Sequence, residues 1–129
     1  MCSPRKILIV DDEPINRFTL EMFLTRSGWH VALAKDGVEA LDLIISDETL
    51  GWILLDLNMP RLDGYGVLKA INEQHSKYRD KLKIVILSAS SEEDFIANAS
   101  VQGLNTMKVV SFMRKPVDLS ALGQLLMHH

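Results

Sequence analysis

Four short apolar runs in this sequence lead into polar residues that can bind a phosphoryl group or a divalent metal. Those residues are an acid pair, a single acid, a hydroxyl and an amine, in chain order Asp11-Asp12, Asp56, Ser88 and Lys115. Three carboxylates brought together repel one another, so either a pKa rises or a cation joins them. Mg²⁺ or Mn²⁺ suits such oxygen ligands, while an amine and a hydroxyl can bind phosphoryl oxygens. A carboxylate in this setting can be a nucleophile toward phosphorus.

These residues need a scaffold that brings the ends of strands together. Short apolar runs alternate with helix-like segments along the chain, which favours a parallel sheet with helices on both faces. We predict strands at about 6–10, 30–34, 52–56, 83–88 and 109–113. Four of these are continuous apolar runs, as expected of strands covered on both sides. The prediction is a flavodoxin-like, doubly wound α/β fold with strand order 2-1-3-4-5, in which the first strand lies beside the third.

Local signals place helices after each strand. The first helix begins at Pro14, behind a cap from Asp12 or Glu13, and stops at Gly28. The residues predicted to begin or cap the others are Gly37, Gly64, Ser90 or Ser91, and Asp118. The residues predicted to face the core from three of these helices are Ala40, Leu41, Ile44, Leu68, Ile71, Leu119, Leu122, Leu125 and Leu126.

Composition narrows the class of protein. A chain of 129 residues with 47% hydrophobic and 24% charged residues suits one soluble domain, predicted to span 1–129. A net charge of -3 without a basic stripe argues against direct nucleic-acid binding, and no apolar stretch is long enough for membrane insertion. The single cysteine, Cys2, predicts a reducing, cytoplasmic location. We assign no function to His128-His129.

The ordered motifs of this chain resemble those of a response-regulator receiver domain over nearly its whole length. The motifs are Asp11-Asp12, Asp56-Leu57-Asn58-Met59-Pro60, Asp63-Gly64, Ser88-Ala89 and Lys115-Pro116. The segment 11–17, with the sequence DDEPINR, is similar in particular to receivers of hybrid histidine kinases. The resemblance implies a phosphorelay switch that accepts a phosphoryl group from a histidine kinase or a histidine phosphotransfer protein. It also allows for a homodimer that forms on phosphorylation.

The resemblance assigns roles to the acids and the lysine. Asp56 would be the phosphoacceptor, and it would bind Mg²⁺ together with Asp12, with Asp11 assisting. Asn58 would add its backbone carbonyl to the metal. Lys115 would pair first with Asp56 and then with the phosphate. Such a domain assists its own phosphorylation and hydrolysis, yet it is a switch rather than a turnover enzyme.

The resemblance also implies a switch and an output face. Ser88 would move toward the phosphoryl group, and Phe112 would turn inward behind it. The Lys115–Pro116 peptide is expected to be cis. Two features depart from the family pattern: the segment 103–115 is long, with 105–108 resembling an insertion, and the last helix is predicted to be short. Both lie near the face that receivers use for output or dimerisation.

One apolar pattern goes beyond the family motifs. Ile15, Phe18 and Met22 are spaced i, i+3 and i+7 on the first helix, as in a contact stripe. They lie off the stripe expected to be buried, which is Thr19, Leu20, Phe23 and Leu24. The two interpretations are a wide buried face and, together with Pro116, a docking surface for a phosphodonor helix.

Three other functions fit parts of the sequence. A phosphatase of the haloacid-dehalogenase type wants a second aspartate two residues after the nucleophile, where this chain has Asn58. A flavodoxin-like redox carrier needs a phosphate-binding loop after the first strand, where Asp11 and Asp12 would repel the flavin phosphate. A receiver that has lost its chemistry would lack an acid or the lysine, and none is missing here.

Overall fold

Strands and helices alternate along the whole of the chain that the structure describes. This computed structural model describes residues 5–59, 63–74, 82–104 and 109–127. The elements are β1 (Lys6–Val10), α1 (Pro14–Arg26), β2 (His30–Ala34), α2 (Gly37–Ser46), β3 (Trp52–Asp56), α3 (Gly64–Gln74), β4 (Lys83–Ser88), α4 (Glu92–Val101), β5 (Val109–Arg114) and α5 (Leu119–Met127). The predicted strand bounds are confirmed, except that β5 extends one residue further, to Arg114.

The five strands form one parallel sheet in the order β2-β1-β3-β4-β5, as predicted. Val10 at the end of β1 pairs with Leu55, so Asp11 and Asp56 follow at the same level of the sheet. The carboxyl ends of the central strands therefore lie at one edge, where open α/β sheets bind their ligands.

The continuous apolar strands supply two core layers because successive side chains point to opposite faces of the sheet. In β1, Leu8 and Val10 join the layer covered by α2, α3 and α4. Ile7 and Ile9 join the layer covered by α1 and α5. All four side chains are fully buried. This two-sided burial fixes the register of β1 and, with it, the position of Asp11.

Helix α1 begins at Pro14 behind Glu13, one of the two predicted cap residues, but the expected side-chain capping bond is missing. The Asp11 carboxylate instead accepts a hydrogen bond from the Glu13 backbone N–H at 2.9 Å. The chain turns after the helix through Gly28, whose φ of +94° favours glycine.

The predicted buried stripe of α1 is wrong at one position. Leu20 and Leu24 are buried and Phe23 is partly buried, whereas Thr19 is exposed. Leu20 and Leu24 are four residues apart and lie on one face, while Thr19 is rotated about 100° from Leu20. The stripe that packs on the sheet is narrow, and Thr19 lies beside an open cleft.

The remaining helix starts follow the predicted capping chemistry, with one addition. Ser91 accepts from the Asp94 N–H, and Asp118 accepts from the Ala121 N–H. The addition is Asp36, which was not predicted as a cap; it is buried and accepts a hydrogen bond from the Glu39 N–H at 2.9 Å. Of the residues predicted to face the core, Leu41, Leu119 and Leu125 are only partly buried, and the others are buried.

A bulge interrupts the pairing of β4 with β5. Ile84 pairs with Val109 and Val85 pairs with Ser111, so Val110 is an extra residue on β5. The extra residue reverses the alternation, and Phe112 shares a core layer with Val109. Val110 and Met113 pack against the opposite layer.

Several features named from the sequence lie outside the described residues: Cys2, Pro60, the 105–108 segment and the His128-His129 pair. Among the helices that are described, none is both long and apolar enough to cross a membrane.

Candidate functional site

Backbone hydrogen bonds join the ends of neighbouring strands at the carboxyl edge of the sheet. The Asp11 N–H donates to the Ala34 carbonyl at 3.1 Å. On the other side of the central strand β3, the Lys115 N–H after β5 donates to the Ser88 carbonyl of β4 at 2.7 Å. These bonds place the polar residues that follow the strands on a rigid support.

Three carboxylates meet at this edge. Oxygen atoms from Asp11, Asp12 and Asp56 all lie within 4.8 Å of one another. Asp11 is 0% exposed and Asp56 is 1% exposed, whereas Asp12 is open to solvent. The three acids come together, as the sequence pattern predicted, and they form a buried pair with one exposed acid beside it.

Lys115 places its ammonium between the two buried carboxylates. Its Nζ lies 3.2 Å from Oδ2 of Asp11, to which it donates a hydrogen bond. The same Nζ lies 3.1 Å from Oδ2 of Asp56 in an ion pair that is not aligned as a hydrogen bond. Oδ2 of Asp56 is consequently a buried oxygen without a hydrogen-bond donor among the described residues.

The pKa shifts show which of the two charges, that of Lys115 or that of Asp56, is better compensated in this ion pair. Burial raises the pKa of Asp56 above its ordinary value, and the Asn58 N–H and the charge of Lys115 offset only part of that effect. Burial alone would lower the pKa of Lys115, but the charges of Asp56 and Asp11 outweigh it and raise the pKa. The lysine is thus held charged, while ionised Asp56 remains under-compensated.

The donor set fits a hard divalent cation. Asp56 offers a buried carboxylate oxygen that receives no hydrogen bond, and Asp11 and Asp12 add carboxylate oxygens within 4.8 Å. Mg²⁺ takes oxygen ligands and retains waters beside one or two carboxylates, which the exposed position of Asp12 permits.

The loop after β3 holds Asp56 in place through two contacts. Its Oδ1 accepts a hydrogen bond from the Asn58 N–H at 3.1 Å. Its backbone carbonyl faces Gly64, where a Cβ atom would lie 2.6 Å from that oxygen. Only glycine fits this close approach at the start of α3. Gly64 was predicted only as the start of a helix, and its packing against the Asp56 carbonyl was not predicted; a glycine at a helix start soon after the key acid was the available signal.

Ser88 and Phe112, the proposed switch residues, lie on the neighbouring strands β4 and β5. Ser88 is 1% exposed, and its Oγ accepts from the Ser90 N–H at 3.0 Å. Phe112 is partly buried and packs on the buried ring of Phe95, with 5.9 Å between ring centroids. Tyr65, next to Gly64, also stacks on Phe95, with 5.9 Å between ring centroids. The aromatic stack connects the helix after β3 with β5.

Two clefts run along α1 from the site. The first, of about 190 Å³, reaches Asp11 and Lys115 and is also lined by Thr19 and Pro116. The second, of about 270 Å³, is lined by Phe18, Met22 and Arg26 among others. Thr19 and Leu119 line both clefts.

The Lys115–Pro116 peptide is cis, as predicted.

The predicted apolar stripe of α1 is accessible. Ile15 is 77% exposed, Phe18 is 60% exposed and Met22 is 36% exposed. A wide buried face does not account for these values.

The family model of the response regulator receiver domain matches residues 7–127 of this chain. The chain belongs to the response-regulator receiver family. This receiver domain is 41% identical over 87 residues to Response regulator RR06 of Streptococcus pneumoniae, which covers 67% of the chain and 37% of that protein. It is 33% identical over 119 residues to Hybrid signal transduction histidine kinase A of Dictyostelium discoideum, which covers 92% of the chain and 5% of that protein.

A solved receiver domain also resembles this one. The receiver domain of the sensor histidine kinase PA1611 from Pseudomonas aeruginosa, described with a magnesium ion in its active-site cleft, is 28% identical. The similarity covers 98% of this chain and 97% of that one, with a TM-score of 0.79. Of the two curated relatives named above, this receiver domain spans only a part, 37% of the first and 5% of the second. These relatives give no support to the phosphatase or to the flavodoxin-like redox carrier.

Proposed function

We propose that this receiver domain accepts a phosphoryl group from a phosphohistidine onto Asp56. The observation that carries the proposal is the state of Asp56: a buried carboxylate with one oxygen lacking a hydrogen-bond donor, 3.1 Å from the Lys115 ammonium. In the transfer, the N–P bond of phosphohistidine breaks, the imidazole keeps the electron pair, and an O–P bond forms at the Asp56 carboxylate.

The residues around Asp56 have complementary tasks in this step. The Asn58 N–H holds one carboxylate oxygen in place, and Gly64 permits the close packing of the loop. The Lys115 ammonium compensates the carboxylate before transfer and the phosphoryl oxygens after it. The Ser88 hydroxyl oxygen accepts from Ser90, so its hydrogen can be donated to a phosphoryl oxygen.

Asp11, Asp12 and Asp56, with the backbone carbonyl of Asn58, would hold Mg²⁺ or Mn²⁺. A bound divalent cation would supply neutralisation of charge on the phosphoryl oxygens. The orphaned oxygen of Asp56 and the magnesium described in the cleft of the PA1611 receiver domain support this assignment.

Incubation with acetyl phosphate and Mg²⁺ tests the proposed chemistry. We expect intact-mass spectrometry to detect one added phosphoryl group, which is lost under alkaline conditions and does not form when EDTA removes the metal. A protein that acquires no labile phosphoryl group from either acetyl phosphate or a phosphorylated histidine phosphotransfer protein would contradict the proposal.

The exposed stripe of α1 formed by Ile15, Phe18 and Met22 is proposed as the docking surface for the phosphodonor, with Pro116 at the edge of the adjoining cleft. We predict that Phe18→Ala slows transfer from a histidine phosphotransfer protein about tenfold, because truncation of a central aromatic contact costs more than 1 kcal/mol. Phosphorylation by acetyl phosphate should keep its wild-type rate. Ile45→Ala, at a 47% exposed position on α2, is the matched control. Equal losses with both donors would contradict docking at this surface.

Phosphorylation is proposed to shift an equilibrium between two conformations, with Ser88 and Phe112 as the switch. The packed rings of Tyr65, Phe95 and Phe112 support this assignment, since they offer a connection from the start of α3 to β5. Coupling of about 1–3 kcal/mol would suffice for such a switch.

The relatives support a proposal for the wider role. We propose that the partner is a histidine kinase or a histidine phosphotransfer protein, and that the 1–129 chain acts as a single cytoplasmic receiver domain without direct contact to nucleic acid. It would assist its own phosphorylation and dephosphorylation without turning over a separate substrate. A homodimer on phosphorylation stays a prediction, which light scattering before and after treatment with acetyl phosphate tests.

A further inference from the structure

Arg17 reaches from α1 back to the acidic loop. Its guanidinium Nη1 donates a hydrogen bond of 2.7 Å to the backbone carbonyl of Asp11, six residues earlier. Arg17 is partly buried, whereas Arg26 at the other end of the same helix is exposed. The Arg17 side chain therefore does not extend into solvent but links α1 to a residue of the candidate metal site.

Every polar group of Asp11 has a partner, and each partner comes from a different part of the fold. Its N–H donates to Ala34 of β2, and its two carboxylate oxygens accept from the Glu13 N–H and from Lys115. The carbonyl is the remaining group, and Arg17 is its donor in the described part of the chain. Asp11 is fully buried, so loss of that donor would leave a carbonyl without compensation and free the turn between β1 and α1 to shift.

We infer that Arg17 is a positioning residue for the divalent-cation site. It fixes the carbonyl of Asp11, and hence the direction in which the loop presents the carboxylates of Asp11 and Asp12 to the cation. The inference rests on the proposed function, because it concerns the same metal. Groups that orient metal ligands from behind contribute about 10–100-fold to metal affinity.

Electrostatics and positioning predict opposite effects for Arg17. A guanidinium close to the acids repels a divalent cation, so loss of its charge alone would tighten Mg²⁺ binding. Loss of its hydrogen bond would loosen the loop and weaken Mg²⁺ binding. The direction of the change in affinity therefore separates a positioning residue from an ordinary surface charge.

The test is calorimetric titration of the full chain with MgCl₂. We expect Arg17→Met to bind Mg²⁺ about tenfold more weakly than Arg26→Met, which makes the same charge change on the same helix without a contact to Asp11. Circular dichroism checks that both variants are folded at the temperature of the titration. If Arg17→Met does not fold, Arg17→Gln, whose amide is too short to reach the Asp11 carbonyl, gives the same comparison.

A kinetic measurement supplies the second readout. The Mg²⁺ concentration for half-maximal phosphorylation by acetyl phosphate should rise about tenfold in Arg17→Met, while the rate at saturating Mg²⁺ stays near that of wild type. The inference is overturned if Arg17→Met binds Mg²⁺ as tightly as Arg26→Met or more tightly. In that case the proposed function still stands, provided that the wild-type protein binds Mg²⁺. Absence of Mg²⁺ binding in the wild-type protein overturns the metal site itself, and the inference with it.

Discussion

Replacement of Lys115 by methionine is expected to lower the free energy of unfolding of the metal-free protein by about 3 kcal/mol. The lysine is the shared cation of two buried carboxylates, at 3.2 Å from Asp11 and 3.1 Å from Asp56. Its removal takes from two buried like charges the cation that pairs with both of them, which is the costly way to break a buried ion pair. Urea denaturation in EDTA, followed by the fluorescence of the buried Trp29 and Trp52, measures the loss.

Addition of Mg²⁺ should recover a large part of this loss, because a cation bound to the same carboxylates replaces the missing charge. Lys35→Met is the control, since Lys35 is 63% exposed and its ion pair with Glu39 spans 3.8 Å. A change below about 0.5 kcal/mol is expected there, with no dependence on Mg²⁺. If both variants unfold at the same urea concentration in EDTA, Lys115 does not compensate the buried acids.

Asp56→Asn is expected to abolish phosphorylation and, at the same time, to stabilise the metal-free protein by roughly 1 kcal/mol at neutral pH. The first effect follows because asparagine lacks the carboxylate nucleophile. The second follows because the site holds two buried carboxylates for one ammonium. Asparagine at position 56 leaves Lys115 paired with Asp11, so no charge loses its only partner.

The pH dependence of this gain has a defined direction. The pKa of Asp56 is raised in the folded protein above the ordinary value of 3.8, so folded Asp56 keeps its proton to higher pH than unfolded Asp56. Stability that depends on this proton is complete below the unfolded pKa and is lost as the pH rises through the folded pKa. The advantage of Asp56→Asn should therefore grow as the pH rises above about 4, as measured by urea denaturation in EDTA.

Asp63→Asn provides the matched control for Asp56→Asn. Asp63 is exposed and accepts a hydrogen bond from the Gly66 N–H at 2.9 Å, a task that asparagine performs equally well. It should keep wild-type phosphorylation and gain no stability at any pH. A labile phosphoryl group on Asp56→Asn would show that the phosphoacceptor is another residue.

The sequence was sufficient for the features that depend on local pattern. Continuous apolar runs predicted β1, β3 and β4 because buried parallel strands require them. The acids and the lysine could be placed together because parallel strands end at one edge of the sheet. The positions of Asp11, Asp12, Asp56 and Lys115 follow from these two rules and are found as predicted.

The features that the sequence did not predict depend on contacts between distant segments. Thr19 is exposed because α1 packs through a narrow stripe, which helical spacing alone does not determine. The bond of Arg17 to the Asp11 carbonyl and the contact of Gly64 with the Asp56 carbonyl depend on how a helix and a loop approach each other. Oδ2 of Asp56 has no hydrogen-bond donor although the Lys115 ammonium lies 3.1 Å away, and residue types alone do not predict such a detail.

Because of the bulge at Val110, the geometry of the site does not depend on the length of the segment that precedes β5. β5 is anchored at its far end, where Arg114 pairs with Ser88 and the Lys115 N–H binds the Ser88 carbonyl. An added residue on the approach is absorbed at the bulge before the pairing reaches Ser111. From Ser111 onward each further insertion or deletion would turn Lys115 to the opposite face of the sheet. We therefore expect a change in length to be tolerated upstream of Ser111 and not over the five positions that end at Lys115.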